Sequence, residues 1–224
     1  MKKGFTLAEV LITLGIIGIV AAMTMPSLMN AYKAYKFRSQ FNKSYSVLKQ
    51  IARKMQADDI PIDPSSFYQK SGTFAQAVKK YLNSAVDCGT FTKNSGICYQ
   101  YNSSKYPYKS LSGRNIDAGY FDDGELSLPD GSLFLFEQPA AENRLWVWVD
   151  LNGGSTPPNK LGYDLFVFQV IDSDFLPMGA KGTDYEDKEQ YCSFNSTAAW
   201  NGMGCTEKAV KEQNYFKNVL NNKL

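Results

Sequence analysis

One carboxylate stands alone in the most apolar part of this chain. Glu9 is the single ionisable side chain in the run "FTLAEVLITLGIIGIVAAMTMPSLM", residues 5–29. Placing a carboxylate in lipid costs roughly 2.5–3.5 kcal/mol at the bilayer centre and less near an end, so it persists where it has a partner. Lys2 and Lys3 precede Glu9, and no base follows before Lys33. A cut after Gly4 would create another partner, the α-amine of Phe5. That amine would lie one helical turn from Glu9 on the same face, able to pair within the chain or with a neighbour's Glu9.

A second group of oxygens lies in "VDLNGGSTPPNKLGYDLF". Asp150, Asn152 and Asp164 fall at two strand ends, and pairing of those strands would let them converge on one cation. Calcium takes roughly six to eight such ligands. The start, Asp150-Leu151-Asn152-Gly153, is that of an EF-hand, but the twelfth position is Leu161, so the loop is not one. The competing reading is turn chemistry, with Asn-Gly and Pro-Pro shaping a long hairpin loop.

The cysteines form two close pairs, Cys88/Cys98 in "CGTFTKNSGIC" and Cys192/Cys205 in "CSFNSTAAWNGMGC". Sequence alone leaves the connectivity open. Local pairing is expected because each pair brackets a Gly-, Asn- and Ser-rich loop, and rings this small stabilise by about 2–3 kcal/mol in the chain-entropy model. The short C-x-x-C spacings of zinc sites are absent. Disulfides imply an oxidising compartment. The chain has no histidine, which removes the commonest general base and metal ligand. There is also no phosphate-cradling glycine loop, so an enzyme reading has little support. The aromatic stretch "YQYNSSKYPY", residues 99–108, is read as a packed tyrosine patch rather than a stacking platform for a glycan or DNA strand.

These residues need elements to hold them. The chain has 224 residues and a net charge of +2, enough length beyond the apolar run for one domain with a core. Charge is unevenly placed. Residues 33–54 hold seven bases and no acid, whereas residues 58–224 hold 15 bases against 21 acids. A basic stalk therefore leads into an acidic head, a pairing suited to subunit attraction as well as solubility. As a helix the apolar run spans roughly 37 Å, enough to cross a bilayer core of about 30 Å. Beyond it, Phe37, Phe41, Tyr45, Leu48, Ala52 and Met55 continue a helical period, ending near Asp58 before "DDIPIDPSS". A short helix is expected within residues 73–82, and loops from there through Gly119. Strands follow: "ELSLPDGSLFLF" reads as a hairpin about Pro-Asp-Gly, and "RLWVWVDLNG" and "YDLFVFQVID" add two more. Short links favour an antiparallel meander packed on the long helix, with a last helix over residues 206–220.

The opening "KGFTLAE" and its apolar helix resemble the type IV prepilin signal, shared by pilins and the pseudopilins of type II secretion. The resemblance covers about thirty residues. It implies cleavage between Gly4 and Phe5 by a prepilin peptidase, N-methylation of Phe5, and retention of the helix as the core of a filament. Glu9 becomes the fifth mature residue, where the family keeps its glutamate. Pro26, twenty-one residues after Phe5, matches the family's helix-kinking proline. Ala8 departs from the branched aliphatic residue often found before that glutamate. The loop after Asp150 resembles a segment of some pseudopilin-like heads, some of which bind calcium nearby. The competing reading is a plain export signal cut after Ala22, which Glu9 and the continuing apolar run argue against. The positive-inside rule favours a cytoplasmic head, whereas the cysteines and the processing signal favour the opposite side.

The expectation is an α+β protein with four parts: a leader (1–4), a transmembrane and filament-core helix (5–29), an amphipathic stalk helix (30–57) and a globular pilin-like head (58–224). Its implied role is a structural subunit of a type IV pilus-like filament or type II secretion pseudopilus. The alternative is a minor or tip subunit that binds a surface, DNA or cargo. Its implied partners are a prepilin peptidase/methyltransferase, other subunits and the bacterial inner membrane, with the head outside the cytoplasm. Nucleic acid is not expected, and calcium is the one cofactor considered.

Overall fold

The structure, a computed structural model, describes residues 4, 6–67, 70–90, 97–99, 107–138 and 144–224. Leader residues 1–3, Phe5 and most of the 99–108 tyrosine stretch lie outside the described residues. A single helix, α1 (Leu7–Ala57), carries both the apolar run and the stalk. Its first half buries nothing: Leu11, Ile12, Leu14, Ile17 and Met23 are all exposed. The second half buries Ala34, Phe37, Phe41, Ser44, Leu48, Ile51, Ala52 and Met55. From Ala34 to Ile51 these recur at alternate steps of three and four, the spacing that keeps one helix face against a partner, and Ala52 and Met55 widen the same face. Tyr45, expected in this stripe, packs at its margin and stacks on Phe168 at 5.4 Å.

The partner is a six-stranded antiparallel sheet whose spatial order follows the chain: β1 (Val86–Gly89), β2 (Glu125–Ser127), β3 (Leu133–Glu137), β4 (Trp146–Asp150), β5 (Leu165–Ile171) and β6 (Asp174–Pro177). Alternation along the strands divides the side chains between two faces. Phe134, Phe136, Val147, Val149, Phe166 and Phe168 join the α1 side, where Phe41 meets Phe166 edge-on at 4.8 Å. Leu133, Leu135, Trp146, Trp148, Leu165 and Val167 point away into a second core with Tyr99, Tyr108, Phe121 and Met203. Both faces are therefore dry, which is why β3, β4 and β5 read as continuous apolar runs.

Three expectations change. Strand β1 lies within the stretch expected to be looped, and β6 follows β5 through Asp172 and Ser173, both with positive φ. The final helix is two pieces, α5 (Cys205–Lys211) and α6 (Tyr215–Leu220), separated where Glu212 turns extended. Three short helices complete the order: α2 (Pro64–Phe67), α3 (Thr73–Lys79) and α4 (Lys188–Tyr191).

Helix α6 packs on α1, with Phe216 6.3 Å from Phe37 and 5.7 Å from Phe41. Arg38 lies over the Phe216 ring at 5.1 Å and donates to the carbonyls of Ala209 and Glu212. It thereby adds a cationic donor to carbonyls at the end of α5, where the helix dipole favours positive charge. Lys43 pairs with Asp130 at the β2–β3 turn (2.7 Å), and Lys49 pairs with Asp174. Disulfides join Cys88 to Cys98 and Cys192 to Cys205. Within the second ring Asn201 acts as the spacer, donating to the carbonyls of Ser193 (2.7 Å) and Ser196 (2.9 Å).

Candidate functional site

Two regions carry the candidate residues. At the first, Thr6 is the N-cap of α1, its hydroxyl accepting from the Glu9 backbone N–H at 3.3 Å. Glu9 reaches back, its Oε2 accepting from the Thr6 backbone N–H and hydroxyl, each at 2.8 Å. This reciprocal pair is a capping box, which satisfies donors that a helix start leaves open. Thr6 was missed in the sequence, although Thr-x-x-Glu before an apolar run is its signature. Gly4 is exposed, and a Cβ there would meet nothing within 4 Å among the described residues. Gly15 and Gly18 are equally bare. Thr13 and Thr24 fold their hydroxyls onto the helix's own carbonyls, Thr13 to Glu9 and Thr24 to Val20, each at 2.9 Å. Pro26 lies inside the continuous helix, where it removes the bond that its N–H would otherwise give to Ala22. Helix α1 is long and apolar enough to cross a membrane.

The second region is the β4–β5 loop, closed where Asp150 pairs with Leu165 and the Leu151 N–H donates to the Asp164 carbonyl at 2.8 Å. Both carboxylates are buried beneath it. Asp150 accepts from the N–H groups of Asn152 (3.0 Å) and Gly153 (2.9 Å) on one oxygen and from the Tyr108 hydroxyl (2.7 Å) on the other. Asp164 accepts from the N–H groups of Lys160 (2.7 Å) and Asn159 (3.0 Å). Burial raises Asp150 to about 6, against the pull of the Tyr108 hydrogen bond. Burial and then the charge of Asp150 raise Asp164 to about 8. The fold thus unites these two residues electrostatically. Asn152 gives its amide to the Thr156 carbonyl (2.9 Å) and also lowers Asp164 through a side-chain hydrogen bond, while its buried Oδ1 has no hydrogen-bond partner among the described residues. Tyr108, distant in sequence, carried no signal of this role. It is fully buried, 4.5 Å from the Tyr99 ring, so the described part of the tyrosine stretch is core.

Donor chemistry alone suits a hard cation, since every candidate ligand is oxygen. Each oxygen of the two carboxylates, however, already accepts an N–H of the loop or the Tyr108 hydroxyl.

Residues 1–25 match the family described as Prokaryotic N-terminal methylation motif. This motif marks the type IV pilin and pseudopilin family. No curated protein and no solved structure matches the chain.

Proposed function

We propose that this type IV pilin-like protein, which carries a prepilin processing signal, is a structural subunit of a pilus-like filament or a type II secretion pseudopilus. The reading holds that a prepilin peptidase cuts between Gly4 and Phe5, that Phe5 is N-methylated, and that α1 anchors the chain in the bacterial inner membrane before assembly. The head then lies outside the cytoplasm, where its disulfides are stable. The observation that carries the reading is the nakedness of residues 7–29. They bury nothing in their own chain, and an apolar surface of that size requires lipid or other helices. Gly15 and Gly18 point the same way. A helical glycine costs about 1 kcal/mol relative to alanine, and no contact among the described residues demands one at positions 15 or 18.

Glu9 has two roles on this reading, capping α1 and neutralising a Phe5 amine to set axial register between stacked helices. They can be separated. Glu9→Gln keeps a side chain that can complete a capping box but loses the charge; Glu9→Ala loses both. Both variants are expected to be cleaved normally and to enter filaments poorly. Normal incorporation of Glu9→Gln would leave only the cap. The mass of the mature N-terminus tests the reading itself: a methylated Phe5 supports it, and a start at Met23 overturns it.

A tip or minor subunit with a binding head is the second reading, favoured by the layer covering the far side of the sheet, which adds bulk beyond that needed to hold α1. Abundance relative to other subunits separates the two. For the β4–β5 loop we infer a structural role in which Asp150 and Asp164 close the turn. Calcium titration is expected to leave the melting temperature unchanged; a rise would assign Asp150, Asn152 and Asp164 to a cation.

A further inference from the structure

A groove of about 880 Å³ opens where α1 leaves its apolar run and meets the head. Leu28, Met29 and Tyr32 form one wall, Pro157 and Pro158 of the β4–β5 loop the other, and Leu220 of α6 lies beside them. Lys33 and Lys36 stand at its rim, both exposed. No acidic residue lines it. The two lysines differ from bases further along the helix. Lys43 and Lys49 are neutralised by head carboxylates, while Lys33 and Lys36 make no ion pair among the described residues. Beyond the opposite wall Lys160 adds another positive charge, lying 5.0 Å over the Tyr163 ring.

Height along the helix identifies what meets these groups. At about 1.5 Å per residue, Lys33 and Lys36 lie roughly 6 and 10 Å past Met29. The interfacial zone of a bilayer extends about 5–8 Å beyond each side of its hydrocarbon core. Tyr32, a turn past Leu28, falls in the belt where tyrosines meet headgroups. The groove is thus apolar beside the hydrocarbon edge, with Lys33 inside the interfacial zone and Lys36 just beyond it, close enough for its long side chain to reach back to a phosphate.

We propose that this groove seats an anionic phospholipid of the anchoring membrane, its phosphate held by Lys33 and Lys36 and its acyl chains against Leu28, Met29 and Pro157. Such a lipid fixes the height and rotation of the head over the bilayer before the subunit is extracted. The inference rests on the membrane-anchored reading above.

The test uses the full processed chain in nanodiscs, made either of phosphatidylcholine alone or of equal parts phosphatidylcholine and phosphatidylglycerol. Lipid retained after transfer to detergent is counted by native mass spectrometry, which also gives the N-terminus and the oligomeric state. Phosphatidylglycerol is expected to stay bound. In the Lys33→Gln/Lys36→Gln double variant its retention should fall about tenfold or more, while Lys54→Gln, a solvent-exposed base far from the groove, should leave it unchanged. Melting temperatures of the variants verify the fold. Equal retention of the two lipids, insensitivity to the double variant, or recovery as a lipid-free dimer would each overturn the proposal while leaving an anchored Phe5 terminus intact. A chain beginning at Met23 would remove the anchoring and the lipid site together.

Discussion

Asp150 and Asp164 share one buried site, where burial lifts Asp150 to about 6, and burial followed by the charge of Asp150 lifts Asp164 to about 8. An unfolded aspartate titrates near about 3.9, so from that pH upward the unfolded chain has lost protons that the folded head still holds. Folding stability therefore falls as pH rises from about 4 to about 8, by at most about 1.4 kcal/mol per pH unit for each group. Thermal melts across this range are expected to show that decline, and Asp164→Asn should flatten it. A melting temperature that rises between pH 5 and 8 would contradict the assignment. The two acids were legible because each ends a strand. Tyr108, which donates to one of them, was not, because it reaches the site through tertiary packing from 42 residues away. Thr6 was legible and overlooked, since the charge on Glu9 drew attention from its geometry.

At the scale of elements, α1 and the sheet are held together by aromatic packing. Phe41 is fully buried and contacts Phe166, Phe168 and Phe216. Truncation to alanine should cost about 3–5 kcal/mol, a large share of the roughly 5–15 kcal/mol typical of a domain. Urea melts of the full chain in detergent measure it. Tyr45→Ala, at the edge of the same stripe, is expected to cost clearly less. Periodicity exposed α1 in the sequence, continuous apolar runs exposed β3, β4 and β5, and the Pro-Asp-Gly turn exposed the short β2 beside β3. None of these signals exposed β1 or β6. Each of these edge strands has only four residues, and neither carries a long apolar run or a Pro-Asp-Gly turn of the kind that marks the β2–β3 hairpin. The break between α5 and α6 was hidden for a related reason, since Glu212-Gln213-Asn214 contains neither the glycine nor the proline that marks an ending.

In the molecule as a whole, the described residues of the membrane half of α1 add nothing to the packing of the head. Removing residues 1–29 should therefore leave a head that melts cooperatively within a few degrees of the full chain, checked by calorimetry of both. The second core on the far face of the sheet was the largest feature that sequence reading did not anticipate. It is assembled from loop residues such as Tyr108, Phe121 and Met203, which have no periodicity to announce them. The contact of Phe216 with Phe37 and Phe41 also orders the birth of the head. Consecutive strands are neighbours in the sheet, so each can pair soon after it is made. The aromatic stripe of α1, however, is synthesised first and covered by α6 last. Until α6 has been made, a nascent head keeps part of that stripe bare, and exposed apolar surface of this kind is what chaperones and proteases engage. A chain cut just short of Tyr215 would carry a lasting signal of incompleteness, so only subunits that include α6 would escape that surveillance.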